Sequence, residues 1–314
     1  MNIISLVNQA VVWYAVSAVL ALLFSLKKPL SGAIAGIGGA VASAMLIVVG
    51  MGTLLMPGRV SAGMLQMLSL PIRISGINAL WLLAIGLSAL PISLFNISWH
   101  RHPEVKANGL LVNLLLAAAT CAVVTTSFGS LVVMAEIMAL CGAFLTGCAQ
   151  SGKLWFALGR FGTLLLAWSC WLVWSFYGTL DLAQISLLAA GAPQQMLLWL
   201  PALAGFALLA GVIPLHGWAP QAHADASAPA AALFSTVVMK VGLFGILTVS
   251  LAGGVPPLWW GRAAAGTGDD HRLYRRALRA DGAQHPAPAG VSQPGKYRHH
   301  PAGARRVCHR RGPQ

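Results

Sequence analysis

Eight apolar windows recur along the first 252 residues, near 4–25, 31–52, 76–98, 109–127, 129–148, 155–177, 196–213 and 229–252. Each is about 20 residues long, which at the rise of an α-helix is the span of a bilayer's hydrocarbon core. In that solvent a backbone must satisfy its own hydrogen bonds, so repeated runs of this length predict a polytopic helix bundle. Composition agrees: 57% of residues are hydrophobic and only 9% are charged, against about 25% charge in soluble domains. A soluble fold, a collagen and a secreted disulfide scaffold are excluded. Cysteines 121, 141, 148, 170 and 308 have no paired spacing, and the four inside apolar runs read as small buried hydrophobes.

The formal charge of +13 invites a nucleic-acid reading until it is counted by segment. Residues 1–252 carry 9 Lys/Arg and 4 Asp/Glu, whereas 253–314 carry 11 and 3, with five of the nine histidines. The change is abrupt. Pro256-Pro257-Leu258-Trp259-Trp260-Gly261 reads as the interfacial start of another span, and from Arg262 onward neither a helical nor a strand period remains. We therefore expect a membrane domain over 1–252 and a disordered basic tail over 253–314. A break in mid-motif points to translation in a shifted frame, ahead of a membrane-surface or nucleic-acid segment or a His-rich metal tract. His299-His300 and Cys308-His309 match no closed tetrahedral site.

Lysine and arginine set the expected orientation. The loops after the first, third and fifth windows are assigned Lys27, Lys28, Arg101, Lys106, Lys153 and Arg160, and the other loops only Arg59 and Arg73. The positive-inside rule then places the N-terminus and the segments 53–75 and 178–195 outside, in the periplasm of a bacterial inner membrane. The first window has no preceding Lys or Arg, so it reads as an anchor rather than a cleaved signal. Residues 53–75, broken by Pro57-Gly58 and Pro71, suit a short hairpin. The cluster Trp99-His100-Arg101-His102 reads as an interfacial loop.

Charge at mid-depth costs several kcal/mol or more unless paired or hydrated. Two residues stand out on that ground: Glu136 in LVVMAEIMALCG and Lys240 in LFSTVVMKVGLFG. They are candidate proton-transfer groups, and a static ion pair or two polar pins between helices is the competing reading. A third unusual stretch is PLHGWAPQAHADASAPAA, in which Pro214, Pro220 and Pro229 preclude one continuous helix. An interrupted helix over 214–229 is expected, of the kind found at membrane depth where backbone is buried in protein or lines a hydrated cavity. His216 and His223 lie in the break, with Asp225 beyond, and suit either a proton relay or caps on freed carbonyls. Nothing here resembles a zinc set, a phosphate loop, a nucleophile elbow or a redox-cofactor motif. We expect no cofactor and no bond chemistry in this chain alone.

GVIPLHGWAPQAHADASAPAAALFSTVVMKVGLFGIL, residues 211–247, closely resembles the signature of the antiporter-like membrane subunits shared by respiratory complex I, multi-subunit cation/proton antiporters and membrane-bound hydrogenases. WHRHPEVKANGL, VVMAEIMALCGAFL and GKLWFALGRFGTLLLAWSCWL look most like the formate hydrogenlyase branch. The resemblance runs from residue 1 to about 261, so the chain is expected to be the N-terminal portion of such a subunit. It implies a membrane anchor with a proton path, bound to other membrane-arm subunits and to hydrogenase, iron–sulfur and formate dehydrogenase subunits that carry the iron–sulfur clusters and the nickel–iron centre. No nucleic acid is implied. The alternatives are a proton-translocating subunit of NADH:quinone oxidoreductase or of a cation/proton antiporter, and a structural scaffold. By the same resemblance Glu136 matches the family's buried glutamate, Lys240 its helix-eight lysine, and His216 and His223 the histidines of the broken helix. The sequence departs at helix seven, where Leu209 occupies the position of a family lysine.

Overall fold

The computed structural model describes residues 2–56, 58–99, 108–146, 150–189, 197–212 and 215–252. Pro214, the His100–Glu104 loop, Cys148 and the basic segment 253–314 lie outside the described residues. Helices α1 (Ile3–Leu23) and α2 (Lys28–Leu54) are followed by strands β1 (Ser61–Leu65) and β2 (Leu70–Ile74). Helices α3 (Gly76–Trp99), α4 (Asn108–Val124), α5 (Phe128–Leu145) and α6 (Gln150–Tyr177) come next. The remainder is shorter pieces: α7 (Leu182–Leu188), α8 (Leu200–Ala210), α9 (Trp218–Asp225), α10 (Ala228–Leu233), a π-helical turn (Phe234–Val238) and α11 (Met239–Ala252).

The eight apolar windows each coincide with helix. Among the described residues, six helical stretches are long and apolar enough to cross a membrane, and the stretches Asn108–Val124 and Leu197–Ala210 are apolar but shorter. The chain is a multi-pass membrane protein. Its outer faces carry many large apolar side chains: on α6 alone Leu164, Trp168, Trp171 and Trp174 are exposed, the pattern of helices whose solvent is lipid.

Helix α4 is the centre of the N-terminal bundle and is buried on nearly every side. A polar residue there must find partners, and Asn113 donates from Nδ2 to the carbonyls of Ala35 (3.1 Å) and Gly109 (3.2 Å). Small residues let α2 approach: the Cα of Gly39 faces Ser93 of α3 and Asn113 of α4, with no room for a methyl group. Tyr14 of α1 and Ser43 of α2, both buried, share a hydrogen bond of 2.8 Å.

The expected hairpin is present, an antiparallel pair with Ser61 opposite Ile74 and Leu65 opposite Leu70. It adds a small sheet to an otherwise all-α bundle. Asn8 of α1 holds it: Nδ2 donates to the carbonyls of Ile4 (3.0 Å) and Met64 (3.1 Å), and Oδ1 accepts from the amide of Gln66 (2.7 Å). Asn8→Ala is expected to free the hairpin tip, at a cost of about 1–2 kcal/mol of local stability. Amide exchange at Gln66 should quicken by about tenfold while exchange in α4 stays unchanged.

The loop assignment needs one correction. Lys153 lies in the first turn of α6, and Arg160 stands well inside that helix rather than in a loop. Arg160 therefore drops out of the charge count that set the orientation. The reason is visible in its partner, described next.

Candidate functional site

Glu136 is the ninth of the 18 residues of α5 and so lies at mid-depth. A lone carboxylate there would be strongly disfavoured. It is not alone: Arg160 of α6 forms an ion pair with it through Nη1 and Oε1, and Thr163, one turn further on, reaches its other oxygen. The Thr163 hydroxyl also lies 2.9 Å from the carbonyl of Gly159, so one proton serves two acceptors. The guanidinium packs over the Phe156 ring at 5.2 Å, a cation–π contact that suits a weakly hydrated cation in an apolar setting. Spacing explains the assembly: Phe156, Gly159, Arg160 and Thr163 are three, four and seven residues apart and share one face of α6.

Sequence reasoning missed Arg160 and Thr163. The signal was present, since Arg160 falls inside the 155–177 apolar window and is a charge at depth by the same criterion that selected Glu136. A cation near a helix end reads as an interfacial anchor unless its partner on another helix is known.

Lys240 has a different setting. It lies near the middle of the stretch Ala228–Ala252, immediately beyond the π turn. Such turns widen the helix by one residue and recur at functional sites. Lys240 is half-buried, and it makes no ion pair or hydrogen bond among the described residues. Glu136 and Lys240 are not partners.

The interrupted helix packs onto α11 on either side of this lysine in sequence. Helix α8 ends at Ala210, and Gly211 follows in the left-handed region, φ 66°, which ends the helix without a Cβ penalty. Gly211 lies against Met239, and the backbone of Ala210 packs directly onto Gly242 of α11. Those two contacts bracket Lys240. Pro220 and Pro229 both sit in first turns, of α9 and α10, where a missing N–H is tolerated. They start new helices, and the described residues outside helix include Gly211, Val212 and Leu215–Gly217, and again Ala226, which is extended.

Of the two histidines, His223 is half-buried in α9 with its ring 6.0 Å from that of Phe234 in the π turn. His216, also half-buried, sits in the turn before α9, and its carbonyl accepts from the amide of Ala219 at 2.9 Å. Asp225 is exposed. Leu209 is buried near the end of α8, so an apolar side chain occupies that position.

A dry aromatic cluster joins the two regions. Trp155 of α6 packs against Trp218 of α9 at 4.4 Å and against Phe234 at 4.3 Å, and all three rings are fully buried. Trp218 Nε1 donates to the carbonyl of Leu208 at 2.7 Å, fixing α9 to α8 across the break. The place for Trp155 exists because residue 142 of α5 is glycine: a Cβ there would fall 2.3 Å from the indole.

No group of three His, Cys, Asp or Glu side chains comes together as a metal site among the described residues. Cys121 and Cys141 are buried and free.

Residues 129–256, which contain Glu136, Arg160, the break and Lys240, match the family described as NADH:quinone oxidoreductase/Mrp antiporter, TM. The chain is 58% identical over 264 residues to formate hydrogenlyase subunit 3 of Escherichia coli K12, covering 84% of this chain and 43% of that protein. It is 33% identical over 204 residues to hydrogenase-4 component B of the same organism, covering 61% of this chain and 30% of that protein. The chain thus spans less than half the length of these curated relatives. Its fold resembles a chain of the archaeal membrane-bound sulfane sulfur reductase (TM-score 0.67, 21% identity, covering 78% of this chain and 40% of that one). It also resembles a chain of the Mrp complex from Dietzia (TM-score 0.64, 18% identity, 78% and 48%). The resemblance carried by residues 211–247 to antiporter-like membrane subunits is borne out.

Proposed function

We propose that this chain serves as the antiporter-like membrane subunit of a formate hydrogenlyase-type hydrogenase complex, anchoring the redox arm in a bacterial inner membrane with its N-terminus in the periplasm. In this role it binds other membrane-arm subunits. Hydrogenase, iron–sulfur and formate dehydrogenase subunits carry the clusters and the nickel–iron centre. The identity to formate hydrogenlyase subunit 3 supports this assignment over a cation/proton antiporter or an NADH:quinone oxidoreductase subunit. Those remain the runner-up because the family match covers them as well.

The observation that carries a proton-transfer role is Lys240: half-buried, unpaired among the described residues, and bracketed by a helix break and a π turn. An ionisable side chain left at mid-depth without a partner is a functional candidate rather than a packing element. His223, its ring 6.0 Å from that of Phe234 in the π turn, and His216, in the turn before α9, supply further proton acceptors and donors in this reading. Glu136 contributes differently. Its partner is an arginine, which does not release its proton, so the carboxylate is held as an anion by a fixed charge. Leu209 on α8 carries no titratable group, and in this reading Glu136 supplies a standing charge and Lys240 the mobile proton site.

The test grafts residues 1–252 in place of the matching segment of the E. coli subunit and measures formate-dependent hydrogen evolution and proton uptake in inverted vesicles. The graft should restore hydrogen evolution. Lys240→Met should cut coupled proton movement by about tenfold or more in a complex that still assembles. An assembled graft that evolves no hydrogen would remove the hydrogenlyase assignment. Unchanged proton movement in Lys240→Met would leave the chain a scaffold.

A further inference from the structure

The end of the bundle that carries the hairpin is stitched by backbone: Ile72 bridges Thr125, and Ser127 bridges Asp181. Between these stitches and the last turns of α11 lies a groove of about 370 Å³, lined by Arg73, Ser75, Asn78, Thr126, Ser186 and Thr248 above an apolar floor from α3, α5 and α11. Its polar groups are not equivalent. Ser75 donates to Asn78 (2.6 Å), Asn78 to the carbonyl of Val123 (2.7 Å), Thr126 to that of Pro71 (3.4 Å) and Ser186 to that of Ala183 (2.8 Å). Arg73 is exposed and, among the described residues, neither its guanidinium nor the Thr248 hydroxyl has any partner. Among the described residues, no acidic side chain lines the groove. Asp181, on the neighbouring loop, turns its carboxylate onto the amides of Ala183 and Gln184.

The floor continues down the outside of the bundle. Leu247 and Leu251 of α11 and Ile77 of α3 are exposed large apolar residues, and Phe244 meets Trp81 edge to face at 5.9 Å, closing the valley between the two helices. A forked cation at headgroup level above an apolar valley matches an amphiphile with an anionic head. Arginine's five donors suit phosphate oxygens, and the valley suits an acyl chain.

We propose that this groove binds one anionic phospholipid, with its phosphodiester on Arg73 and Thr248 and a chain along Ile77, Leu247 and Leu251. The groove shares α5 and α11 with Glu136 and Lys240 but neither residue lines it, and the proposal requires only that the protein spans a bilayer, not the hydrogenlyase assignment.

The experiment is native mass spectrometry of the purified full chain in detergent, titrated with phosphatidylglycerol, phosphatidylethanolamine and the soluble headgroup glycerophosphoglycerol. One phosphatidylglycerol should be retained in preference to phosphatidylethanolamine. Arg73→Gln should weaken that retention by about tenfold, and Arg73→Lys, which keeps the charge but not the fork, by less. Thr248→Val tests the second donor with no change of charge, and should weaken retention by a few fold. Equal retention of the two lipids overturns the proposal. So does retention that neither arginine substitution changes, or binding of the bare headgroup as tight as that of the lipid, which would mark a soluble-anion site.

Discussion

Replacing Arg160 by glutamine should destabilise the folded chain by about 2–4 kcal/mol, and replacing Glu136 by glutamine as well should recover most of that loss. The argument is one of desolvation. Both groups sit at mid-depth with side chains only 20% and 31% exposed, and the surroundings offer lipid rather than water. Taking away the cation leaves a carboxylate with the Thr163 hydroxyl alone. Taking away both charges leaves two amides that can bond to each other and to Thr163, at far lower cost. A double-mutant cycle, read by thermal unfolding in detergent, isolates the coupling. Strictly additive single substitutions would mean that the pair contributes nothing and that the Glu136 charge is satisfied elsewhere.

Trp155→Ala is expected to cost about 3–5 kcal/mol, the range for deleting a fully buried large aromatic. Its indole fills the space left by Gly142 and supports both Trp218 and Phe234. With the ring gone, α9 loses its seat on α6, and the loss should appear first at the interrupted helix. Protease cleavage near Gly217, or labelling of a cysteine introduced there, should rise well before α1–α4 unfold. Intact protection at that position would show that the Trp218 bond to Leu208 holds α9 without help.

Much of this fold was legible from the chain because lipid imposes a length. Runs of about 20 apolar residues separated by Gly, Pro and charge have few other solutions, and Pro57-Gly58 with Pro71 marked the hairpin by turn chemistry. The prolines announced the broken helix for a sound reason, though two of them begin helices rather than end them. Arg160 was misplaced because its depth depends on where α6 starts, five residues before its apolar window, and its meaning depends on Glu136 across the helix pair. No period in FSTVV announces a π turn; its β-branched and hydroxylated residues are as common in regular helices. Lys240 was legible as a charge out of place. That it has no partner among the described residues was not, since that is a property of every helix packed around it.

The π turn has a consequence for the direction in which Lys240 faces. The amide of Met239 bonds to the carbonyl of Phe234, five residues back rather than four, so one residue is accommodated without advancing the spiral. Successive side chains on a regular helix are separated by about 100° around the axis. The bulge therefore acts as a phase shifter: everything after residue 238 is rotated by roughly that angle from where the preceding turns would have aimed it. Shortening the segment by one residue would keep the composition, length class and apolarity of the span, and would still turn the ammonium group onto another face of the bundle. The bearing of this charge is written in a residue count rather than in any side chain.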